Sequence, residues 1–525
     1  MEESLRVVGE YGTYQSHIKI ILLGCAFLTN IYSIQIDIML HFPNFIISQN
    51  NITMNNITKE YNNKYCDKDK YKINIDENTE IKNWNYNYGF FCEKENYLYY
   101  IYFSVLIGNF FGLIFFSSLP DKIGREKVMK FSMIFSCFLH LNLLFCQNTF
   151  HLLLINILGS LNSFIFITSI VCITELLPHE SNGINIGIFT LVYYLYPIIL
   201  YLFLKIFSDW KTFFFLTSLS HIFISHFAFY NFLESPRWLF SIGQKIKCLS
   251  VLDRISLYNC TLTRWNEYQK INIEDANRFG RASTNFTKLF NFELNSGEIE
   301  QDFKGINIYD IFKFKSQKYN LLLLFALVFF NSIFSNGIIL LIKYKEKFNN
   351  YFLFENIHNL ILLNFFRLIT AMISGYFCDI LGRKSLIIFG SILGAIGFFI
   401  YGENGSEIFL MISIFCSQGI NTILLIYIPE NIATPIRNTL CCWYFFEYKL
   451  IQFCMELAYK YINKEAFNYM VILSGFLVGF WLIYLKETLN EKIKDIVPEL
   501  KDKIETLENF NLKSFNSSRN PSSLI

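Results

Sequence analysis

Long apolar runs separated by polar connections dominate the chain. A helix needs about 20 apolar residues to cross a bilayer, and twelve runs come close to that length: residues 18–40, 97–119, 128–147, 150–173, 184–207, 212–233, 319–342, 355–378, 385–401, 407–428, 439–461 and 466–485. Three longer polar stretches interrupt the series, at residues 41–96, 234–318 and 486–525. The pattern predicts an all-α membrane protein with twelve transmembrane helices, which we number segments 1 to 12.

The composition agrees with this pattern. The sequence is 53% hydrophobic and 17% charged, which leaves too few charges to solvate the surface of a soluble protein of 525 residues. A formal net charge of +2 argues against nucleic acid as a partner. Residues 1–17 are polar and no small-residue cleavage site follows segment 1. We therefore expect a cytoplasmic amino-terminus and a retained first helix, not a signal peptide.

The polar stretch between segments 1 and 2, residues 41–96, has the marks of an extracellular loop. It contains glycosylation sequons at Asn51 and Asn56 and a cysteine pair, Cys66 and Cys92. Sequons and paired cysteines fit the oxidising, glycosylating side of a membrane. We expect one disulfide between these two cysteines and an N-glycan on one of the two asparagines.

An extracellular loop at this position places both chain ends in the cytoplasm. The short connection at 120–130 is then cytoplasmic and strongly basic, as positive-inside orientation requires. Lys343, Lys345 and Lys347 lie in a predicted outer connection and run against this rule. The inter-half loop 234–318 and the tail 486–525 are predicted to be cytoplasmic as well.

A pattern of acids, glycines and arginines occurs twice. Asp-x-x-Gly-Arg begins at Asp121 and again at Asp379, 258 residues later. Acids follow segments 4 and 10 at a spacing of 255, and segments 6 and 12 at a spacing of 253. The sequence therefore predicts two pseudo-repeated six-helix halves, residues 18–233 and 319–485.

Many transporters consist of repeated halves with the solute site between them, near the middle of the membrane. Carboxylates in the doubled motifs can accept hydrogen bonds from helix N-termini and pair with arginines, which would hold one rocking state closed. The alternative is that these basic loops only fix the topology. The predicted gating residues are Asp121, Gly124, Arg125, Glu175, Glu234, Arg237, Asp379, Gly382, Arg383, Glu430 and Arg437.

The doubled Asp-x-x-Gly-Arg motif resembles the major facilitator superfamily. The Gly9-Glu-Tyr-Gly12 start before segment 1, the large glycosylatable loop after it and Glu234-Ser-Pro-Arg-Trp-Leu239 after segment 6 resemble the organic cation and anion transporter branch of that superfamily. Sugar porters share the last motif, so the first two features distinguish the branch. The resemblance spans residues 9 to about 490. It implies a monomeric secondary carrier of a small organic ion in the plasma membrane, with no cofactor, metal or enzymatic activity.

The chain also departs from the pattern of that family. Before Gly183 the family usually has Arg, and this chain has Asn182, so one half of the gate is expected to lack a cation. After Glu430 the usual Pro-Thr is rearranged to Ala-Thr-Pro435, although Arg437 keeps its distance from the acid.

Charged and aromatic residues inside the apolar runs are candidates for binding the solute. Arg367 in segment 8 and Lys449 in segment 11 occupy positions where cation carriers of the family usually have carboxylates. Basic side chains at these positions indicate that the solute is an organic anion. Glu447 could instead neutralise either cation in a structural ion pair. Tyr193 and Trp443 could stack on a flat solute or could simply pack.

Other readings remain open at this point. An organic cation or carnitine-like solute would keep the fold and change the charge preference. A sugar or neutral-solute porter would place Gln and Asn along segments 5, 7 and 10. A non-transporting membrane sensor would carry an added signalling domain.

Four histidines lie in or near apolar runs: His140, His151, His221 and His226. Their spacings indicate neither a proton relay nor a metal site, so we expect structural roles for them.

Overall fold

The structure of the protein is a computed structural model. It describes residues 1–9, 11–29, 32, 36–40, 45–49, 52–54, 72–75, 82–88, 90, 96–207, 209–279, 315–343, 357–489 and 491. The predicted glycosylation sites at Asn51 and Asn56 and the predicted disulfide between Cys66 and Cys92 lie outside these residues, and both stay predictions.

All six predicted segments of the first half are helical. Segment 1 is Thr13–Thr29 and is followed by the short helix Ile36–Met39. Segment 2 is Asn96–Phe110, which continues through a π turn (Phe111–Phe115) and a 3-10 turn (Phe116–Ser118) into the helix Leu119–Ile123. Segment 3 is Arg125–Leu144, segment 4 consists of Thr149–Leu161 and Phe164–Leu176, segment 5 is Asn182–Phe207 and segment 6 is Trp210–Asn231.

The second half repeats this arrangement. Segments 7 to 12 are Lys315–Lys343, Ile357–Leu381, Arg383–Asn404, Glu407–Asn431, Arg437–Tyr461 and Lys464–Leu482. Among the described residues, ten helical stretches are long and apolar enough to cross a membrane. The other two are segment 1, with 17 residues, and segment 11, which contains Glu447, Lys449 and Glu456. The twelve-helix prediction is confirmed.

Large apolar side chains cover the outside of the bundle. Phe131 on segment 3 is 72% exposed and Phe223 on segment 6 is 75% exposed, and exposed Phe, Leu and Ile side chains also occur on the helices of the second half. A soluble protein rarely exposes such continuous apolar surface. The outer surface of the bundle is therefore suited to lipid.

Part of the predicted cytoplasmic loop 234–318 is also helical. It begins with the helices Pro236–Ser241, Lys245–Tyr258 and Leu262–Phe279. Asn259 joins them to the amino-terminus, because its Nδ2 donates to the carbonyls of Val8 at 3.1 Å and Gly9 at 3.0 Å. Its Oδ1 accepts from the backbone N–H of Tyr14 at 3.0 Å. Sequence polarity indicated a loop here, whereas the buried faces of these helices arise from tertiary contacts.

The predicted outer loop contains a small antiparallel sheet, which the all-α prediction did not include. Strands β1 (Phe45–Gln49), β2 (Ile52–Met54) and β3 (Lys72–Ile75) pair in the order β2-β1-β3. Ile47 lies opposite Met54 on one side and Ile73 on the other. The strands are too short and too far from the bilayer runs to stand out in a search for long apolar helices.

Glycines bring segments 5 and 8, and with them the two halves, into close contact. A Cβ on Gly183 would lie 2.4 Å from the carbonyl oxygen of Gly375, and a Cβ on Gly375 would lie 2.6 Å from the carbonyl oxygen of Gly183. Any larger residue would push the helices apart. This crossing sets the distance between the halves beside the central cavity.

Candidate functional site

Both Asp-x-x-Gly-Arg motifs lie at one end of the bundle, which we call the motif end. Asp121 of the first half accepts from the backbone N–H of Thr439 at 2.8 Å and from its hydroxyl at 2.7 Å, at the start of segment 11. Asp379 of the second half accepts from the N–H groups of Gly183 at 2.9 Å and Ile184 at 3.0 Å, at the start of segment 5. Each aspartate thus binds the positive end of a helix from the other half.

A buried cluster of two arginines and a glutamate adds a second connection between the halves. Arg125 contacts Glu175 at 3.2 Å and Asp121 at 2.9 Å. Arg437, from the second half, donates to the same Oε1 of Glu175 at 3.1 Å. The side chains of Arg125, Glu175 and Arg437 are 0% exposed. A carboxylate this deeply buried needs such paired donors, because an unpaired buried charge is strongly destabilising.

The corresponding cluster of the second half has a different composition. Arg383 contacts Glu430 at 3.2 Å, as Arg125 contacts Glu175. Asn182 of the opposite half also contacts Glu430, with its Nδ2 3.3 Å from Oε1. His179 Nε2 lies 3.2 Å from the same oxygen, and the hydroxyl of Thr488 donates to Oε2 at 2.6 Å. In the second cluster, neutral donors thus take the place that Arg437 has in the first cluster.

Two further glutamates cap the helices that begin at the motif glycines. Glu234 accepts from the N–H groups of Arg125 at 2.9 Å and Glu126 at 3.2 Å, which open segment 3. Glu487 accepts in the same way from Arg383 at 3.0 Å and Lys384 at 2.9 Å, which open segment 9.

Glycine is required at both turns. Gly124 has φ +114° and Gly382 has φ +94°, values that other residues rarely adopt. A Cβ on Gly124 would also lie 2.2 Å from Oε2 of Glu234. Arg237 supports this region by donating from Nε to the carbonyl of Glu175 at 3.1 Å.

The halves are therefore held together at the motif end. The contacts that cross between them include four made by motif acids: Asp121 with Thr439, Asp379 with Gly183, Glu175 with Arg437, and Glu430 with Asn182. We call these four contacts the latch. All predicted gating residues lie in or beside the latch, although their part in gating is a proposal.

A cavity of about 160 Å³ lies between the halves. Segments 4, 5, 7, 8, 10 and 11 line it, and its walls include Arg367, Lys449 and Tyr193. Trp443 and Glu447 are not among the lining residues. The indole Nε1 of Trp443 instead donates to the carbonyl of Ile114 on segment 2 at 3.4 Å.

The two basic side chains of the cavity each lie against an aromatic ring. The guanidinium of Arg367 is 5.6 Å from the ring centroid of Tyr194, and the ammonium of Lys449 is 5.4 Å from that of Phe445. Arg367 donates to Oδ1 of Asn364 at 3.3 Å, and its Nε is buried with no hydrogen-bond partner among the described residues.

Glu447 is separate from these two cations. Its Oε2 is buried without a hydrogen-bond partner in the described part of the chain, and no ion pair there joins it to Arg367 or Lys449. Residues two positions apart on a helix point in nearly opposite directions, so Glu447 and Lys449 occupy different faces of segment 11.

Five amide side chains in the cavity wall were not selected in the sequence analysis: Gln452 on segment 11, Asn331 and Asn336 on segment 7, and Gln418 and Asn421 on segment 10. Asn331 donates to Asn421 at 2.7 Å, and both Asn421 and Gln418 donate to the hydroxyl of Ser335, at 2.7 and 3.0 Å. The amides on each of segments 7 and 10 are three or five residues apart within an apolar run, and this spacing was the signal in the sequence. Because Asn is frequent elsewhere in the chain, these positions did not stand out.

Comparison with known proteins identifies the fold. The Major Facilitator Superfamily profile matches residues 95–239, whereas no curated protein matches the sequence. The proton:xylose symporter XylE bound to 6-bromo-6-deoxy-D-glucose is 13% identical, with 92% of this chain and 98% of that chain covered and a TM-score of 0.58. XylE from E. coli in a partially occluded inward-open conformation is 12% identical, with 90% and 100% covered and a TM-score of 0.52. Residues 95–239 thus match the Major Facilitator Superfamily model, and the chain is a multi-pass membrane protein that shares the fold of these solved structures.

Proposed function

We propose that this protein is a secondary transporter that moves a small organic anion by alternating access. The observation that carries the proposal is the presence of Arg367 and Lys449 in the wall of a cavity between the two halves. Basic groups within the bilayer are costly and usually functional. In a low dielectric they attract an anion far more strongly than they would in water.

Aromatic rings in the same wall suit an organic anion. Tyr193, Tyr194 and Phe445 line the cavity together with the two cations. A solute with a carboxylate and a flat apolar body could pair its charge with Arg367 and stack its body on a ring. This arrangement supports the organic-ion branch that the sequence resemblance at residues 9–12 implies. From that resemblance we also propose a monomeric carrier of the plasma membrane.

Alternating access would use the latch. The contacts at the motif end hold that side closed, so a solute would enter the cavity from the opposite side. Release would then require the two halves to rock until the latch opens. Because the latch consists of buried ion pairs and helix-end contacts, it has two discrete states, made or broken.

An uptake screen tests the proposal directly. The full-length protein is placed in proteoliposomes and offered labelled p-aminohippurate, an aryl carboxylate, or labelled tetraethylammonium. We expect uptake of the carboxylate, a loss of at least tenfold in Lys449→Ala and Arg367→Ala, and little change in Lys205→Ala, which removes an exposed lysine from segment 5. Uptake of tetraethylammonium with none of aryl carboxylates would defeat the anion assignment.

A neutral hydroxylated solute is the second candidate. The amides of Asn331, Asn336, Gln418 and Asn421 provide hydrogen-bond donors and acceptors of the kind that sugar hydroxyls need. Uptake of labelled D-xylose that is reduced in Asn421→Leu and unchanged in Lys449→Ala would favour this candidate over the anion.

A further inference from the structure

Two buried imidazoles face each other inside the first half. His140 on segment 3 and His221 on segment 6 are both 0% exposed, and their ring centroids are 4.8 Å apart. The residues are 81 positions apart in sequence, and only the packing of segment 3 against segment 6 brings them together. Neither histidine lines the central cavity.

Polar atoms around this pair lack hydrogen-bond partners. His140 Nδ1 lies 2.8 Å from the carbonyl of Ser136, so Nδ1–H donates and Nε2 carries the free lone pair. Within the described residues, Nε2 of His140, both ring nitrogens of His221 and the hydroxyl of Tyr32 have no partner. The ring of Tyr32 is 5.2 Å from that of His140.

Segment 4 adds an amide to the same region. Neither polar atom of the buried Asn156 side chain has a partner among the described residues. Asn156 lies one helical turn before Gly159, where a Cβ would come 2.3 Å from the ring of Tyr32. Segments 1, 3 and 6 therefore contribute polar side chains to one enclosed location, and Asn156 of segment 4 lies one helical turn from the residue that packs on Tyr32.

Four unpartnered atoms on the two imidazoles and Tyr32 call for a ligand that can satisfy them. Leaving that many buried donors and acceptors without hydrogen bonds would cost free energy comparable to the whole stability of a typical domain. Internal water needs two to four polar partners, and this cluster supplies them.

The donor set suits a proton better than a metal ion. The described residues contain no group of three or more His, Cys, Asp or Glu side chains that could hold a metal, and zinc sites use at least three protein ligands. Imidazole is the side chain that exchanges protons near neutral pH. Two imidazoles in contact cannot both be charged, so the pair can hold at most one extra proton.

Among the described residues, neither ring forms an ion pair with a carboxylate. Burial without a counter-charge opposes protonation of an imidazole, so water held at the site would have to solvate the charged pair. The titratable groups near the pair are Tyr32 on segment 1, Tyr196 on segment 5, which interacts with Tyr32, and Cys146 after segment 3. All three are neutral at neutral pH.

A column of rings leads from the predicted outer loop to the pair. Trp84 contacts Trp210 with ring centroids 6.3 Å apart, Trp210 contacts Phe214 at 5.8 Å, and Phe214 contacts His140 at 6.3 Å. The column encloses the pair from that side.

We propose that His140 and His221, with Tyr32 and Asn156, form an internal hydrated site for one proton, separate from the solute cavity. Where the proposed transport function holds, this site is the point at which proton binding couples to movement of the halves. Proton binding itself does not depend on the identity of the solute.

Histidine-selective nuclear magnetic resonance tests proton binding without any solute. The full-length protein, with its eight histidines labelled at Cε1 with carbon-13, is titrated in micelles around the ordinary histidine pKa of about 6.5. We expect the signals of His140 and His221 to move together at one shared midpoint. In His221→Gln the titration midpoint of His140 should move by about one pH unit or more, because its interaction with the second imidazole is then lost. His226→Gln removes an exposed histidine from the same helix and should change neither signal.

Two results would overturn the proposal. Both rings could stay neutral throughout the titration, as purely structural histidines would. Alternatively, the two rings could titrate independently, so that the midpoint of one does not change when the other is removed. If a variant does not fold, the presence or absence of one shared titration midpoint for His140 and His221 in the unmutated protein still decides the question.

Coupling is tested separately. With a transported solute such as p-aminohippurate, His140→Gln should abolish accumulation driven by a pH gradient and retain exchange of labelled for unlabelled solute. Unchanged gradient-driven accumulation would refute coupling through this site. A complete absence of p-aminohippurate transport in the unmutated protein would count against the proposed function and leave the titration result standing.

Discussion

Among single residues, Glu234 shows how one carboxylate can organise the motif end. It is 8% exposed and accepts backbone hydrogen bonds from Arg125, Glu126 and Ser235. Burial raises the pKa of Glu234 to about 7, although Arg125 and the three N–H donors favour the ionised form. The folded protein therefore binds a proton at Glu234 more tightly than the unfolded chain does.

This shift predicts a pH dependence of stability. The contribution of Glu234 is complete below its unfolded pKa of about 4.5 and is lost as the pH rises through about 7. Between about pH 5 and pH 8 the free energy of unfolding should fall by about 2 kcal/mol. Chemical denaturation of the full chain in micelles measures this slope. Glu234→Gln should flatten it, and the exposed Glu403→Gln should not. Equal slopes in all three proteins would contradict the prediction.

Among elements, the crossing of segments 5 and 8 depends on glycine. At Gly375 a Cβ would meet the carbonyl oxygen of Gly183 at 2.6 Å and the Cα of Gly187 at 2.9 Å. Both neighbours are backbone atoms, which cannot rotate away as a flexible side chain can. The two helices would have to separate.

Gly375→Ala should therefore destabilise the protein by about 1–3 kcal/mol, the usual cost of overpacking. Thermal unfolding in micelles measures the change. Gly402→Ala is the matched control on segment 9, because a Cβ there meets nothing within 4 Å and alanine favours a helix. A Gly375→Ala protein as stable as the control would show that the crossing tolerates side chains.

Across the whole molecule, the latch is nearly symmetric but unequally charged. Arg437 and Asn182 stand at equivalent places in the repeat, 255 residues apart, and each contacts a glutamate of the opposite half. The first contact is an ion pair and the second uses a neutral amide. One side of the closed motif end is thus held more weakly than the other.

Changing the latch should alter the rate of cycling. Asp121→Asn weakens the contact with Thr439, and Asn182→Arg adds a cation beside Glu430. Each should lower the maximal uptake rate several-fold with little change in half-saturation, because the latch residues do not line the cavity. Initial-rate uptake over a range of solute concentrations separates the two parameters. A large change in half-saturation at an unchanged maximal rate would contradict a role in cycling.

The sequence alone determined the membrane segments, the doubled halves and the motif residues. Length and apolar content identify a spanning helix without knowledge of its neighbours, and the repeated spacing of Asp121 and Asp379 survives in the linear order. The same reasoning found Arg367 and Lys449, because a charge in an apolar run is visible along the chain.

Only the tertiary structure decided which faces meet. It placed Glu447 away from the cavity, gathered Asn331 and Asn421 into one wall, and joined His140 to His221 across 81 residues. A hydrophobic pattern reports whether a helix is surrounded by lipid or protein, but every segment here is apolar on most sides. The contacts between helices depend instead on small residues such as Gly375 and on the rotation of each helix about its axis, and neither leaves a periodic signal in the sequence.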